Sequence, residues 1–212
     1  MSLPILYSFR RCPYAMRARL ALDVSDQRVE LREVVLRDKP QDFLDTSPSA
    51  TVPCLKDSDQ IIDESFDIML WALKRNDPEH WLNMPGVGFD LVTEADGPFE
   101  TALDRYKYAG RHADADAEEE RHKGGLFLHK LNKMLEDKDY LFGQAPTFAD
   151  MAILPFVRQF AHVDLDWFNA QPWPDLARWL EAFKSSPRFA AIMTKYTQWH
   201  PGDPITIFPD QS

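Results

Sequence analysis

The chain has 212 residues, 44% of them hydrophobic with 14 Phe and 6 Trp, and a net charge of −10. That apolar supply excludes a disordered chain, and no apolar run reaches the length of a membrane span. The acidic balance argues against nucleic acid or an anionic membrane as partner, and the opening residues show no basic stretch followed by an apolar one, so no secretory signal is read and a cytoplasmic address is expected.

Residues 5–9 read as a short buried strand. Cys12-Pro13 then opens a helix whose apolar residues are Ala15, Ala18, Leu20, Ala21 and Leu22. Residues 29–36 are β-branched and alternate, which predicts a second strand. A short irregular or helical piece follows. Residues 52–56 and 60–63 predict two more strands, joined as a hairpin across Asp57-Ser58-Asp59. Ser65 is expected to cap a helix over 66–75. A βαβ unit followed by a ββα unit makes an α/β domain with a mixed sheet of four strands, over residues 1–76.

Residues 77–88 hold two prolines and two glycines without a clear period and are read as a linker. From residue 89 to 212 the strand signals stop, which predicts an all-helical second domain. Residues 89–111 carry a helical period with a bend at Gly97-Pro98. An amphipathic helix is expected over 117–137, a buried one over 147–163 containing Pro155, and another over 174–185 with Leu176, Trp179, Leu180 and Phe183 on one face. The tail from His200, with its prolines, is expected to run irregularly over the surface.

Residues 1–40 carry eight Arg and Lys against five Asp and Glu, a net of +3, so the remainder carries −13. A basic opening in an acidic chain suits a small anionic ligand near the N-terminus, with chance unevenness of charge as the alternative. Cys12 is the candidate nucleophile. Pro13 fits the first helical position, which sets the sulfur beside unpaired backbone N–H groups and the positive end of the helix dipole. Such a position lowers a thiol pKa, and Arg10, Arg11, Arg17 and Arg19 are expected to strengthen the field. The alternative is an inert buried cysteine. Position 15 is Ala, so no resolving thiol lies within the motif, and turnover needs an external thiol. Cys54 reads as core packing. Two cysteines make no disulfide scaffold and show no zinc spacing. His112, His122 and His129, amid acidic residues, read as a solvated helix junction, so no metal is expected.

Pro53 falls inside a strand, where it cannot donate to the sheet. A cis peptide after Val52 would offer the Val52 backbone to a ligand, a trans edge-strand proline being the alternative. Ser65 can offer a hydroxyl and an N–H to a carboxylate, and Glu64 can pair with an ammonium group. Thiol chemistry, a backbone-pairing edge and a zwitterion-binding corner together fit a small peptide thiol.

Cys12-Pro13-Tyr14-Ala15, Ser47-Pro48 leading to Val52-Pro53, Glu64-Ser65, and Leu141-Phe142-Gly143 with Thr147-Phe148-Ala149-Asp150 resemble the glutathione S-transferase superfamily over nearly the whole chain. The Cys-Pro-Tyr opening is most similar to its cysteine-type, omega-like members, which are related to glutaredoxins. The resemblance implies a thioredoxin-like N-terminal domain with a cis-proline, an all-α C-terminal domain, and glutathione as cosubstrate. It implies that Cys12 forms the mixed disulfide, that Val52 and Pro53 hold the cysteinyl backbone, and that Glu64 and Ser65 hold the γ-glutamyl end. Thr147 and Asp150 match the family's structural cap, which a reciprocal capping box explains physically. The chain departs from the family pattern in Ser49-Ala50-Thr51, which lacks the glycine often found before the cis-proline. No motif fixes the basic residue for the glycyl carboxylate, for which Lys39 or Arg37 are the candidates. Tyr106 and Tyr108 are candidates for a pocket taking a small hydrophobic or disulfide acceptor, with core packing or surface exposure as the alternative. A homodimer is the family habit.

The expected activity is that of a glutathione-dependent thiol transferase or reductase, of the dehydroascorbate reductase type. Two other readings stay open: a binding or regulatory module of this fold without turnover, and a glutathione-dependent isomerase or conjugating transferase, toward which Tyr7 and Ser8 point.

Overall fold

The computed structural model describes residues 3–210. They divide into two units, one formed by the chain up to Glu79 together with the chain from Ser186 on, the other by His80–Ser185. In the first unit, β1 (Ile5–Ser8), α1 (Pro13–Val24) and β2 (Val29–Glu33) form a βαβ crossover with parallel strands. After α2 (Gln41–Thr46), β3 (Cys54–Asp57) and β4 (Gln60–Ile62) pair antiparallel, and α3 (Ser65–Leu73) follows. β3 also pairs antiparallel with β1, setting Leu6 opposite Leu55.

Alternation along β1 assigns its two faces. Tyr7 packs on Phe43 of α2 and on Trp199, with ring centroids 5.1 and 6.2 Å apart, in a cluster with Val34, Val52 and Cys54. Ser8, next along the strand, turns the opposite way and meets Arg19 of α1. The tertiary structure therefore fixes both sides of the strand end that feeds the Cys12 loop.

The sheet has five strands in the order β4-β3-β1-β2-β5, not the four expected. The fifth, β5 (Ile207–Phe208), comes from the tail, which was expected to be irregular but pairs antiparallel with β2. Two residues are too few for alternation to be legible, whereas the outer edge of β2 would otherwise leave open N–H and C=O groups. The Leu31 N–H donates to the Thr206 carbonyl (2.8 Å) and the Trp199 N–H to the Glu33 carbonyl (2.9 Å). α10 (Pro187–Ile192) packs against α1. The chain from Ser186 on, expected in the helical domain, thus belongs to the first unit.

The second unit is built from α4 (Val87–Glu94), α5 (Glu100–Lys107), α6 (Ala117–Met134), α7 (Phe148–Ala161), α8 (Leu165–Asn169) and α9 (Pro174–Lys184). At Gly97-Pro98, where a bend was expected, Ala95–Phe99 form a π-helical turn. Pro98 has no N–H for the usual i−4 bond, and the wider turn keeps the chain helical past it. The segment read as a linker is partly core: Trp81 is fully buried, and its carbonyl accepts from the Phe148 N–H (2.9 Å). α6 and α7 approach closely at Gly124, where a Cβ would lie 2.5 Å from the Phe160 ring.

Thr147 and Asp150 close a capping box at the start of α7. The fully buried Asp150 carboxylate accepts from the Thr147 N–H (2.9 Å) and hydroxyl (2.6 Å), the Leu141 N–H (2.9 Å) and Trp179 Nε1 (3.1 Å). Burial pushes its carboxyl up, and these four donors work against that shift. Among the described residues no helix is long and apolar enough to cross a membrane.

Candidate active site

The loop from β1 to α1 presents Cys12. Its N–H donates to the Phe9 carbonyl (3.0 Å) and its carbonyl accepts from the Met16 N–H (2.9 Å), so the residue is pinned as the helix opens. Cys12 occupies the N-cap position with extended backbone, and Pro13 begins the helix. The sulfur is half-buried and donates weakly to the Val52 carbonyl at 3.6 Å.

Cys12 lines a cleft of about 460 Å³, of the size that holds a small ligand, together with Tyr14, Lys39, Val52, Pro53 and Glu64-Ser65. All six residues expected to hold or attack glutathione therefore share one cavity. Arg37, the alternative to Lys39, is exposed and outside its lining. The Val52–Pro53 peptide is cis. The loop before it passes through Ala50 at φ 53°, in the left-handed region where the missing glycine would have been at ease. Two groups hold this loop. Lys39 Nζ donates to the Ala50 carbonyl (2.9 Å), and the Asp63 carboxylate accepts from the Ser47 hydroxyl (2.6 Å) and the Ser49 N–H (2.8 Å). Burial alone would raise the Asp63 carboxyl, but the hydrogen bonds from Ser47, Ser49 and the Cys54 thiol outweigh it and hold it below the ordinary carboxylate value.

Glu64 holds the N-cap position of α3 with no side-chain capping bond, and it is exposed at the cleft. Ser65, expected as the cap, is instead the first helical residue. Its hydroxyl accepts from Arg17 Nε (2.9 Å), which keeps it from bonding back to the helix. Accepting there leaves the hydroxyl proton for another acceptor.

Arg10, expected to strengthen the field at the sulfur together with Arg11, Arg17 and Arg19, reaches the Met193 carbonyl with its side chain. Arg19 is fully buried and paired with Glu33, Arg17 is buried against Ser65, and the Arg11 guanidinium lies over the Phe9 ring (5.4 Å). The pattern held a clue: Arg17 and Arg19 interrupt a helix that is apolar almost all round, so its charges had to be buried with partners. Tyr14, Leu36, Thr51 and Asp63 line the cleft without having been singled out, and no local signal marks them.

Cys54 is fully buried, and burial and the neighbouring Asp63 push its thiol up to about 12. In the second unit, Tyr106 is a core residue against Phe160 (5.2 Å), and burial pushes its phenol up. Tyr108 is half-buried between Lys107 and Arg111, whose cationic groups lie 4.9 and 4.2 Å from its ring centroid.

The sequence model for the glutathione S-transferase N-terminal domain matches residues 6–80, and that for the C-terminal domain matches residues 127–182. The chain belongs to the glutathione S-transferase superfamily. It is 29% identical over 219 residues to glutathione S-transferase Z2 of Arabidopsis thaliana, covering 95% of this chain and 94% of that protein. It is 25% identical over 203 residues to glutathione S-transferase omega-1 of Sus scrofa, covering 88% and 79%. The crystal structure of a glutathione transferase family member from Pseudomonas fluorescens Pf-5 with two glutathiones bound matches its fold, with a TM-score of 0.78 at 18% identity over 91% of this chain and 92% of that one. The chain thus carries the two domains of the family.

Proposed function

We propose that this transferase is a thiol transferase or reductase that forms a mixed disulfide between Cys12 and glutathione. One observation carries the reading: Cys12 is the cysteine of the cleft, while Cys54, the only other cysteine, is sealed in the core with its thiol near 12. A nucleophile of this kind without a neighbouring thiol must be resolved by an external one.

The helix start favours the Cys12 thiolate. That thiolate attacks the glutathionyl sulfur of a mixed disulfide, the S–S bond breaks, and the acceptor leaves as its thiolate. Cys12 now holds glutathione through a new disulfide. A second glutathione thiolate attacks the glutathione sulfur of that bond, giving oxidised glutathione and returning the Cys12 thiolate. In this scheme Val52 pairs with the cysteinyl backbone, the Ser65 hydroxyl and the first turn of α3 take the γ-glutamyl carboxylate, and Glu64 takes its ammonium. Lys39 takes the glycyl carboxylate at the edge of the same cleft.

The isomerase and conjugating readings gain no support at β1, because the Tyr7 hydroxyl accepts from Arg32 (2.9 Å) and the Ser8 hydroxyl from Arg19 (2.9 Å). Both side chains are buried. Incubation with oxidised glutathione and intact-mass analysis test the proposal. One glutathione per chain, mapped to Cys12, and loss of both adduct and thiol transfer in Cys12→Ser are expected. Full thiol-transfer rate in Cys12→Ser would refute it.

A further inference from the structure

The residues that shape the Cys12 loop from behind lie outside the cleft. Glu33, at the end of β2, is buried, and its two carboxylate oxygens face different elements. Oε1 accepts from the backbone N–H of Arg10 (2.7 Å), two residues before the cysteine. Oε2 accepts from the guanidinium of Arg19, seven residues after it on the inner side of α1. Arg19 also donates through Nε to the Ser8 hydroxyl (2.9 Å) and through Nη1 to the Ile192 carbonyl (3.1 Å). The Arg10 side chain reaches the Met193 carbonyl (3.4 Å), and the Tyr196 and Phe208 rings lie 5.7 and 5.9 Å from the Arg19 guanidinium. One carboxylate thus ties the loop before the sulfur to the helix after it, and the returning C-terminal chain closes the cage around them.

We infer that Glu33 is a positioning residue for Cys12, fixing the strand-to-helix loop that holds the sulfur at the mouth of α1, with Arg19 and the segment around Ile192 as its supports. The inference rests on the reading of Cys12 as the nucleophile. Glu33 is suited to the task because an ionised carboxylate accepts at both oxygens, whereas an amide accepts at only one. A glutamine there must give up either the Arg10 N–H or the Arg19 guanidinium.

The experiment measures the rate of Cys12 alkylation by iodoacetamide against pH, read by intact mass. Cys54 serves as an internal reporter of folding, since a buried thiol near 12 stays unmodified unless the first unit opens. In Glu33→Gln the midpoint of Cys12 reactivity should move up by about one pH unit, which is about tenfold slower alkylation at pH values well below both midpoints, with Cys54 still protected. Simple removal of a negative charge predicts the opposite sign, because an uncompensated Arg19 favours the thiolate. A midpoint that stays in place or moves down therefore overturns the inference.

Arg19→Met on the Glu33→Gln background removes the guanidinium that competes for the single amide oxygen. Positioning predicts recovery toward the parent midpoint, and two losses that simply add would overturn it. If Glu33→Gln exposes Cys54, Glu33→Asp decides instead. It keeps the charge and shortens the reach, so the midpoint should again rise; an unchanged midpoint with Cys54 protected would overturn the inference. The parent protein separates the two levels. A Cys12 that reacts no better than a free thiol sinks the proposed function, whereas a reactive Cys12 indifferent to Glu33 sinks only the positioning role.

Discussion

The Asp150 carboxylate offers the sharpest test of how the helical unit is held. It is fully buried and accepts four hydrogen bonds, from the Leu141 N–H, the Thr147 N–H, the Thr147 hydroxyl and Trp179 Nε1. Three of those donors are fixed by backbone or ring and cannot turn elsewhere. Asp150→Ala strands them, and at about 1 kcal/mol for each bond lost the variant should lose about 4 kcal/mol. Asp150→Asn keeps one oxygen for Leu141 and Trp179 but turns an NH₂ toward the Thr147 N–H, so about 2 kcal/mol is expected. Thr147→Ala removes only the hydroxyl and should cost about 1 kcal/mol. For a chain of this size 4 kcal/mol lowers the melting temperature by about 8–16 °C. Tryptophan fluorescence is a suitable probe, because Trp81, Trp167, Trp173 and Trp179 all lie in this unit. The reasoning fails if Asp150→Ala costs under about 1 kcal/mol, or if Asn is no milder than Ala, since the count of stranded donors would then not set the cost. Cys12 alkylation at temperatures where the variants are folded should stay at the parent rate, which separates a folding role from a chemical one.

Two smaller tests address the loop before Pro53. Ala50 sits at φ 53°, a conformation costing a non-glycine residue about 1–2 kcal/mol, while glycine adds back about 0.4–1 kcal/mol of unfolded-chain entropy. Ala50→Gly should therefore raise the urea midpoint slightly, by about 0.5 kcal/mol in stability, and a clear loss would show that the loop does not hold that conformation. Asp63 is held below the ordinary carboxylate value, so its contribution to stability is present above the unfolded-state pKa and is lost as pH falls through the folded one. Urea midpoints of the parent and Asp63→Asn should differ at pH 6, and the gap should shrink as pH falls below the ordinary carboxylate value; a gap that stays constant with pH would remove Asp63 as the titrating group.

What could be read from the sequence was what local chemistry dictates. A proline directly after a cysteine at a strand end specifies a helix start, and Thr147-x-x-Asp150 specifies a box whose bonds are all within one turn. Pro53 in an otherwise buried strand announced an unusual peptide. Cys12, Lys39, Val52, Pro53, Glu64 and Ser65 then fell into one cleft. The parts that were not legible depend on partners distant in the chain. β5 is two residues long and exists because β2 has an edge to fill. Trp81 looked like linker because its burial depends on Phe148, far along the chain. Ser65 looked like a cap because nothing local shows that Arg17, 48 residues earlier, takes its hydroxyl.

The basic opening segment shows why charge counts alone misplace an electric field. Its surplus of +3 suggested arginines aimed at an anion, yet Arg19 is neutralised by Glu33, Arg32 by Glu30, and Arg17 lies buried on Ser65. At the cleft Lys39 lies in the lining and Arg17 reaches Ser65 from behind, and backbone adds to them. Cys12 is the N-cap of α1 and Glu64 the N-cap of α3, and both line the same cavity. Two helix N-termini thus open onto one space, each bringing about half a positive charge. The arginines act one layer back, Arg17 orienting the Ser65 hydroxyl and Arg19 bracing the Cys12 loop through Glu33. Fixed dipoles of this kind need no side-chain reorganisation when an anion or a thiolate forms beside them, which is the property the proposed thiol–disulfide cycle at Cys12 would use.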